Sequence, residues 1–453
     1  MTGLQLIKKA FLREPVERIP WVPFVGVHAA NLIDVDAEAY LKSTDHIING
    51  ISEAVKRYNP DGVPVAFDLQ IEAEALGCKL QWSKDNPPAV ISHPLQEGLK
   101  VEDLKVPCSC KGRIPLVLDA AAQLREKFPD LALYGLITGP FTLALHLMGT
   151  DIFMKFFESP DEVHQLMKFS TEVSKMMAGK YIESGCDVIA MVDPMTSQID
   201  PDSFNEFVLP YASAVFDEIR DQKALSSFFV CGNAQQNIEV MCKCNPDNIS
   251  IDENIPLDYV RDIALDNSVS FGGNMRLTVV LLMGSAEDSQ REALACMDAG
   301  GKQGFILAPG CDLPMDTPEE NIKSVTEIVH NELLQGSLRA SEAEDSSLEK
   351  LDLKDHWQKD KVVIDVVTLD SSSCAPCQYM FNAVERAAES FGDKVIFKEY
   401  RIKNEEGVQM MTSLGVQHIP TVVIDGEVEF SSRIPPVGEI KKKIEQYIEQ
   451  KNI

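Results

Sequence analysis

Short apolar runs alternate with longer amphipathic stretches over residues 1–335. The runs fall at 21–25, 63–67, 131–137, 187–192, 227–230, 248–251, 268–271 and 304–307. Near-continuous apolar character over so few residues is the mark of strands buried on both faces. Helical periodicity fills the gaps, for example over 159–184 and 287–298. This alternation predicts an α/β chain folded as a (β/α)8 TIM barrel. An open doubly wound sheet is the alternative, but no glycine-rich turn follows the first run. From residue 361 the pattern changes to a strand (361–368), helix (377–390), strand (395–400), helix (406–414), two strands (421–424 and 427–430) about Asp425-Gly426, and a last helix (437–450). That order is βαβαββα. The intervening 336–360, GSLRASEAEDSSLEKLDLKDHWQKD, is polar and charged, as a linker would be. The expected organisation is a barrel over 1–335, a charged linker over 336–360 and a small α/β domain over 361–453.

In such a barrel the chemistry gathers at the carboxyl ends of the strands. Just past the successive runs come His28; Asp68 with Glu72 and Glu74; Thr138-Gly139-Pro140; Asp193-Pro194; Cys231-Gly232-Asn233; Asp252 and Glu253; Asn274; and Pro309-Gly310-Cys311. One such residue alone is most simply a helix N-cap, and carboxylates such as Glu72 can pair with arginines instead. Together they predict a site. Cys231 and Cys311 should face one another across the mouth. As soft donors they suit zinc, whose catalytic sites keep three protein ligands and one open position. Such an ion would hold a substrate thiol as its thiolate. The plainer reading is two small packed residues.

Composition narrows the partners. Forty-two Lys and Arg against 70 Asp and Glu leave a formal charge of −28, which repels phosphate backbones and anionic lipid. No nucleic-acid or membrane partner is expected. No apolar run approaches the roughly 18 residues of a membrane span. The amphipathic start, MTGLQLIKK, is unlike a secretory signal. Eleven cysteines in a chain this long do not read as a disulfide framework, so a cytoplasmic protein with cysteines acting as thiols or metal ligands is expected. Cys108-x-Cys110 and Cys242-x-Cys244 could each offer a metal only two donors, and Cys78, Cys186 and Cys296 sit in apolar company as core residues.

The stretches REPVERIPWVPF, FDLQIEAEALGCKLQW, LITGPFTLALHLMG, VDPMTSQIDPDSFNEFVLPY, VCGNAQQNIEVM and GFILAPGCDLPMDTPEENI span almost all of 1–335. Through them the barrel resembles the uroporphyrinogen decarboxylase superfamily, and within it the zinc-dependent methylcobamide:coenzyme M methyltransferase branch. Decarboxylases carry an arginine-rich RQAGR segment after the first strand. Here that place reads Phe24-Val25-Gly26-Val27-His28-Ala29-Ala30, which disfavours an octacarboxylate substrate. The methyltransferase branch binds zinc through a His-x-Cys segment and a later Cys. Cys231 and Cys311 match the two cysteines, while Phe229 stands where the histidine would be. The resemblance therefore implies zinc on Cys231 and Cys311, with His28 proposed to complete the set and Asp252, Glu253 and Asp193 as other candidates. Asp193 matches an Asp-Pro element beside the pocket and would position or deprotonate the acceptor. His28, Asp68, Glu74 and Asn233 are the expected cofactor-binding residues. The implied activity moves a methyl group between a methylcorrinoid, presented by a corrinoid protein, and a small-molecule thiol or related acceptor.

Residues 361–453 resemble a thioredoxin-like domain, through Cys374-Ala375-Pro376-Cys377 at the start of a helix and the later Ile419-Pro420-Thr421. The helix dipole favours a thiolate at Cys374, the attacking thiol, and Cys377 would resolve the mixed disulfide. Pro420 matches the family's cis-proline. Ser371-Ser372-Ser373 replaces the tryptophan of thioredoxins, which favours a dedicated thiol–disulfide partner. Three further readings follow. The CAPC pair would reduce a Cys231–Cys311 disulfide or offer its own thiol to the barrel. The barrel, with Phe229 in place of a ligand, would bind a corrinoid or tetrapyrrole without methyl transfer. The chain would be a uroporphyrinogen decarboxylase.

Overall fold

The computed structural model describes residues 1–340, 353, 356–357, 360–372, 374–416 and 418–451. Two compact units divide the chain, Met1–Ala340 and Ser341–Ile453. In the first, seven parallel strands are hydrogen-bonded in sequence order: β1 (Gly62–Pro64), β2 (Ala132–Thr138), β3 (Val188–Val192), β4 (Leu225–Val230), β5 (Asn248–Ile251), β6 (Ser270–Met275) and β7 (Phe305–Pro309). Helices on the intervening segments cover their outer face.

The first expected strand is a correction. Residues 21–25 form no regular strand, because Pro20 and Pro23 have no N–H to donate to a ladder. They still close the barrel. Trp21 bridges Leu307 in parallel. Val22 N donates to Leu307 O at 3.0 Å, Leu307 N to Pro20 O at 2.9 Å, and Asp61 N to Trp21 O at 2.9 Å. The eighth position between β7 and β1 is thus one irregular segment.

Successive side chains on a strand point to opposite faces, so alternate residues line the barrel interior. Ala132, Tyr134 and Leu136, Val188, Ala190 and Val192, Phe229, and Ile306 and Ala308 form one buried cluster with Val22, Phe24 and Phe67. The N-terminal helix Gly3–Phe11 adds Ile7, Ala10 and Phe11 to it. Thr2 starts that helix with a capping box, accepting from Gln5 N at 3.2 Å while its own N–H reaches Gln5 Oε1 at 3.1 Å.

The helix Glu332–Ala340 continues past residue 335, where the linker was expected to begin, and Arg339 Nη2 pairs with Asp298 at 2.6 Å. Residues 341–352, 354–355 and 358–359 of the expected linker lie outside the described residues, as does Ser373.

The second unit has the expected βαβαββα order. Its four-stranded sheet runs β9 (Val395–Arg401), β8 (Val362–Thr368), β10 (Thr421–Ile424), β11 (Glu427–Ser431), with β8–β9 parallel and the other pairs antiparallel. Helices Ala375–Ala388 and Val437–Lys451 bury Met380, Val384, Ile440 and Ile444 against Ile364, Val366, Val422 and Ile424.

Closure of the barrel rests on Asp61. Its buried carboxylate takes Trp21 N at 2.9 Å and both Arg18 guanidinium nitrogens at 2.6 and 2.7 Å. Asp61→Ala leaves the Trp21 N–H buried without an acceptor and Arg18 without its anion. The expected cost is about 3 kcal/mol, read as a lower urea midpoint for the first unit.

Candidate active site at the barrel mouth

The polar residues past the strands share one geometry: most are carboxylates that accept backbone N–H groups. Asp68 Oδ1 accepts from Gln70 N at 2.9 Å, and Glu72 accepts from Thr138 N at 3.0 Å and from the Thr138 hydroxyl at 2.8 Å. Asp193 takes Phe141 N at 3.1 Å, Thr142 N at 2.8 Å and the Thr142 hydroxyl at 2.6 Å. It thereby caps the helix Pro140–Met148. Asp252 takes Gly232 N at 2.8 Å and Asn254 N at 2.9 Å; Glu253 takes Leu277 N; Asp312 takes Gly26 N at 2.7 Å. Each bond ties one strand's exit loop to another segment of the mouth or to its own turn. Two glycines make room for the ties. A Cβ on Gly139 would stand 2.3 Å from Asp193, and one on Gly26 2.3 Å from an Asp312 oxygen.

Burial raises three of these carboxyls. Glu72 is pushed up to about 7 by burial, against the pull of its Thr138 bonds. Asp193 is pushed up to about 6 for the same reason, opposed by Thr142 and Phe141. Burial, then the Asp252 charge, raises Glu253.

Between these loops lie the two cysteines. Cys231 Sγ and Cys311 Sγ are 2.7 Å apart, closer than two unbonded sulfurs pack, and half-buried. They pack on the barrel's interior cluster. Its upper layer is aromatic: Phe229 lies 4.9 Å from Phe24 and 5.7 Å from Phe67, centroid to centroid. Residues 229 and 231, two apart on one strand path, face the same way. The mouth therefore holds two sulfurs on a ring-lined floor, with phenyl carbon where a ligand of the methyltransferase branch would stand.

His28 does not complete a metal site. Its Nδ1–H donates to the Met315 carbonyl at 3.1 Å, which fixes the tautomer, and Nε2 accepts the Tyr58 hydroxyl at 2.7 Å. No lone pair is left to offer, and burial lowers its pKa to about 4. Among the described residues no group of three His, Cys, Asp or Glu side chains could hold a metal ion. The candidates Asp193, Asp252 and Glu253 are engaged in the ties above. Two thiols fit part of a zinc centre but not the three protein ligands of a catalytic one. Of the expected set, Cys231 and Cys311 meet, while His28 bonds the Met315 carbonyl and the Tyr58 hydroxyl.

Of the expected cofactor-binding residues, Asp68 and Glu74 converge on Arg113, with Glu74 Oε2 2.7 Å from its Nε. That guanidinium also lies 4.8 Å from the Trp82 ring centroid. Asn233 accepts from Gln235 N at 3.3 Å, and Asn274 donates to Ile255 O at 2.7 Å. Sequence reasoning missed Arg113, Tyr58 and Asp312. It also missed His146, buried with both ring nitrogens unpartnered among the described residues, although a lone histidine in PFTLALHLM was a legible signal.

A uroporphyrinogen decarboxylase family model matches residues 2–332, most of the chain. The chain belongs to the uroporphyrinogen decarboxylase family. It is an enzyme of that superfamily, and a thioredoxin domain model matches residues 362–445. It is 28% identical over 346 residues to methylcobamide:CoM methyltransferase MtbA of Methanosarcina acetivorans, covering 73% of this chain and 98% of that one. Against MtaA of Methanosarcina barkeri the figures are 27% identity, 69% and 93%. A uroporphyrinogen decarboxylase of Anaeromyxobacter sp. is 26% identical, covering 71% and 97%. Among solved structures, a methyltransferase from Methanosarcina mazei superposes with a TM-score of 0.67 at 26% identity, covering 73% of this chain and 98% of that one. No helix among the described residues is long and apolar enough to cross a membrane.

In the thioredoxin unit, Cys374 is the N-cap of the helix Ala375–Ala388 and half-buried, while Cys377 is fully buried. Burial, then the Cys374 contact, raises the Cys377 thiol. A partner can therefore reach Cys374 first. The Ile419–Pro420 bond is cis.

The raised carboxyl of Glu72 has a measurable consequence. Its folded pKa exceeds its unfolded value, so the folded state binds the extra proton and stability falls as pH rises from about 4.5 to about 7. Glu72→Gln has no such penalty. Unfolding at a series of pH values is expected to show the variant gaining on wild type across that window, whatever constant offset the lost hydrogen bonds introduce.

Proposed function

We propose that the barrel transfers a methyl group from a methylcorrinoid, presented by a separate corrinoid protein, to the sulfur of a small thiol. The observation that carries this reading is the Cys231–Cys311 contact at the mouth. The activity named for the methylcobamide:CoM methyltransferases, matched over nearly their whole length, supports it.

The two sulfurs are close enough to share one proton. One sulfur of the pair, as thiolate, takes the proton of the incoming thiol. The acceptor sulfur then attacks the methyl carbon. A sulfur–carbon bond forms, the cobalt–carbon bond breaks, and its electron pair stays on cobalt. The floor of Phe24, Phe67 and Phe229 keeps water from beneath the reacting sulfur, which raises its nucleophilicity. No step runs through a protein-bound metal, since the described residues supply only two of the needed ligands. Asp193 acts here as a positioning residue, holding the helix Pro140–Met148 at the mouth.

The assay is methyl transfer from methylcobalamin to a panel of small thiols by reduced protein, followed by the cob(I)alamin spectrum and thioether formation. Cys231→Ser and Cys311→Ser should each lower kcat/KM by about 100-fold or more, a loss of about 2.7 kcal/mol in the transition state. No thioether from any thiol would sink the reading. Corrinoid uptake without transfer would favour a binding protein, and coproporphyrinogen from uroporphyrinogen would favour a decarboxylase.

Zinc analysis separates the metal-free step from the relatives' chemistry. Wild type should hold well under one zinc per chain, and Phe229→His, which adds the missing donor beside Cys231, should bring it toward one. A full zinc in wild type, lost in Cys311→Ser, would overturn the metal-free step.

The same 2.7 Å contact favours a second reading, in which the pair oxidises to a disulfide that a dithiol must reopen before the mouth can work. Activity that vanishes on mild oxidation and returns with dithiothreitol would support it.

A further inference from the structure

A different pair of cysteines stands away from these assignments. Cys108 and Cys110 form a disulfide with one residue between them. Both are exposed, in the loop that leads to the helix Ile114–Lys127. This bond has little structural work to do. The turn it spans is already closed by Lys111 N donating to Cys108 O at 3.1 Å. A cross-link enclosing a single intervening residue removes few conformations from the unfolded chain. Lys105, Lys111 and Gly112 around the pair are exposed as well, while Pro107 beside it is buried. A disulfide that is open to solvent and structurally redundant belongs to the labile, exchangeable kind rather than the structural kind.

The loop also ends at a functional place. Arg113, three residues beyond Cys110, is the buried guanidinium that holds Asp68 and Glu74 at the mouth.

We propose that Cys108–Cys110 is a reversible thiol–disulfide exchange site on the barrel, whose partner is a thioredoxin-type dithiol of the kind carried by residues 362–445. The partner's outer thiolate, Cys374 of a second copy of this chain, attacks one sulfur of the pair. A mixed disulfide forms, the Cys108–Cys110 bond breaks, and the released thiolate takes a proton from solvent. The partner's second thiolate, Cys377, then attacks Cys374 and releases the other loop cysteine. The loop gains two electrons and two protons, and the dithiol becomes a disulfide. Reoxidation is the reverse exchange, with the oxidised form of such a dithiol as oxidant.

The test uses the full chain. Isotope-coded alkylation and peptide mass spectrometry, after equilibration in graded mixtures of reduced and oxidised dithiothreitol, should show the 108–110 pair opening and closing reversibly while Cys78 and Cys186 stay protected. Full-chain Cys377→Ser, which cannot resolve a mixed disulfide, is then mixed with oxidised Cys374→Ser chain. Peptides joining Cys374 to Cys108 or Cys110 are expected. The double variant Cys108→Ser/Cys110→Ser should melt within about 2 °C of wild type, as a redundant cross-link requires. A pair that never opens, a pair that never closes, a melting point that falls well beyond that range, or exchange with dithiothreitol but no trapped Cys374 adduct would each overturn the proposal.

Discussion

The mouth of this barrel depends on buried and half-buried carboxylates that hold backbone amides. Asp68, Glu72, Asp193, Asp252, Glu253 and Asp312 each accept at least one main-chain N–H. The exit loops of a barrel have no ladder to satisfy their amides, and an orphaned buried N–H costs free energy comparable to a lost hydrogen bond. An acidic side chain supplies an acceptor with several lone pairs and a reach of a few ångströms, so one residue fixes two segments. The arrangement costs desolvation, which is why Glu72 and Asp193 titrate near neutrality rather than in the usual carboxylate range. Raising the pH toward neutrality charges these struts inside the mouth and weakens the fold.

On that frame the two sulfurs gain their meaning from what surrounds them. Cys231 follows β4, in the middle of the strand order, and Cys311 follows β7 at its end, and the two meet across the barrel mouth. Closure itself is not a ladder but the Pro20–Val22 segment, pinned by Asp61 below and by β7 beside it. Phe229 then sets the character of the site. A phenyl ring cannot ligate a metal, and it packs on Phe24 and Phe67 as an apolar floor. The pair is left as two thiols in contact, suited to proton transfer and to thiol–disulfide chemistry.

Strand positions were legible because burial on both faces leaves an unbroken apolar run, as in Val188–Val192. The first run failed as a strand for a reason also written in the sequence, its two prolines. The thioredoxin-like unit was legible in order and motif, since CAPC, the later Ile-Pro-Thr and the βαβαββα pattern are all local. Site roles were less so. His28 stood past the first run as a ligand should, but Tyr58 and the Met315 carbonyl occupy both its nitrogens, and neither is close in sequence. Asp193 stood past β3 as an acid–base group should, and the fold spends it on a helix N-terminus. Cys108-x-Cys110 read as two incomplete metal donors, whereas the structure joins them.

The sequence by itself determined the two folded units, the barrel's strand order, the family and the identity of the groups at the strand ends. Those follow from periodicity, spacing and local motif, which act over a few residues. Only the tertiary structure decided which of those groups are partnered. A carboxylate or an imidazole is the same letter whether its lone pairs face a ligand or a backbone amide, and the partner that decides between the two comes from a distant part of the chain.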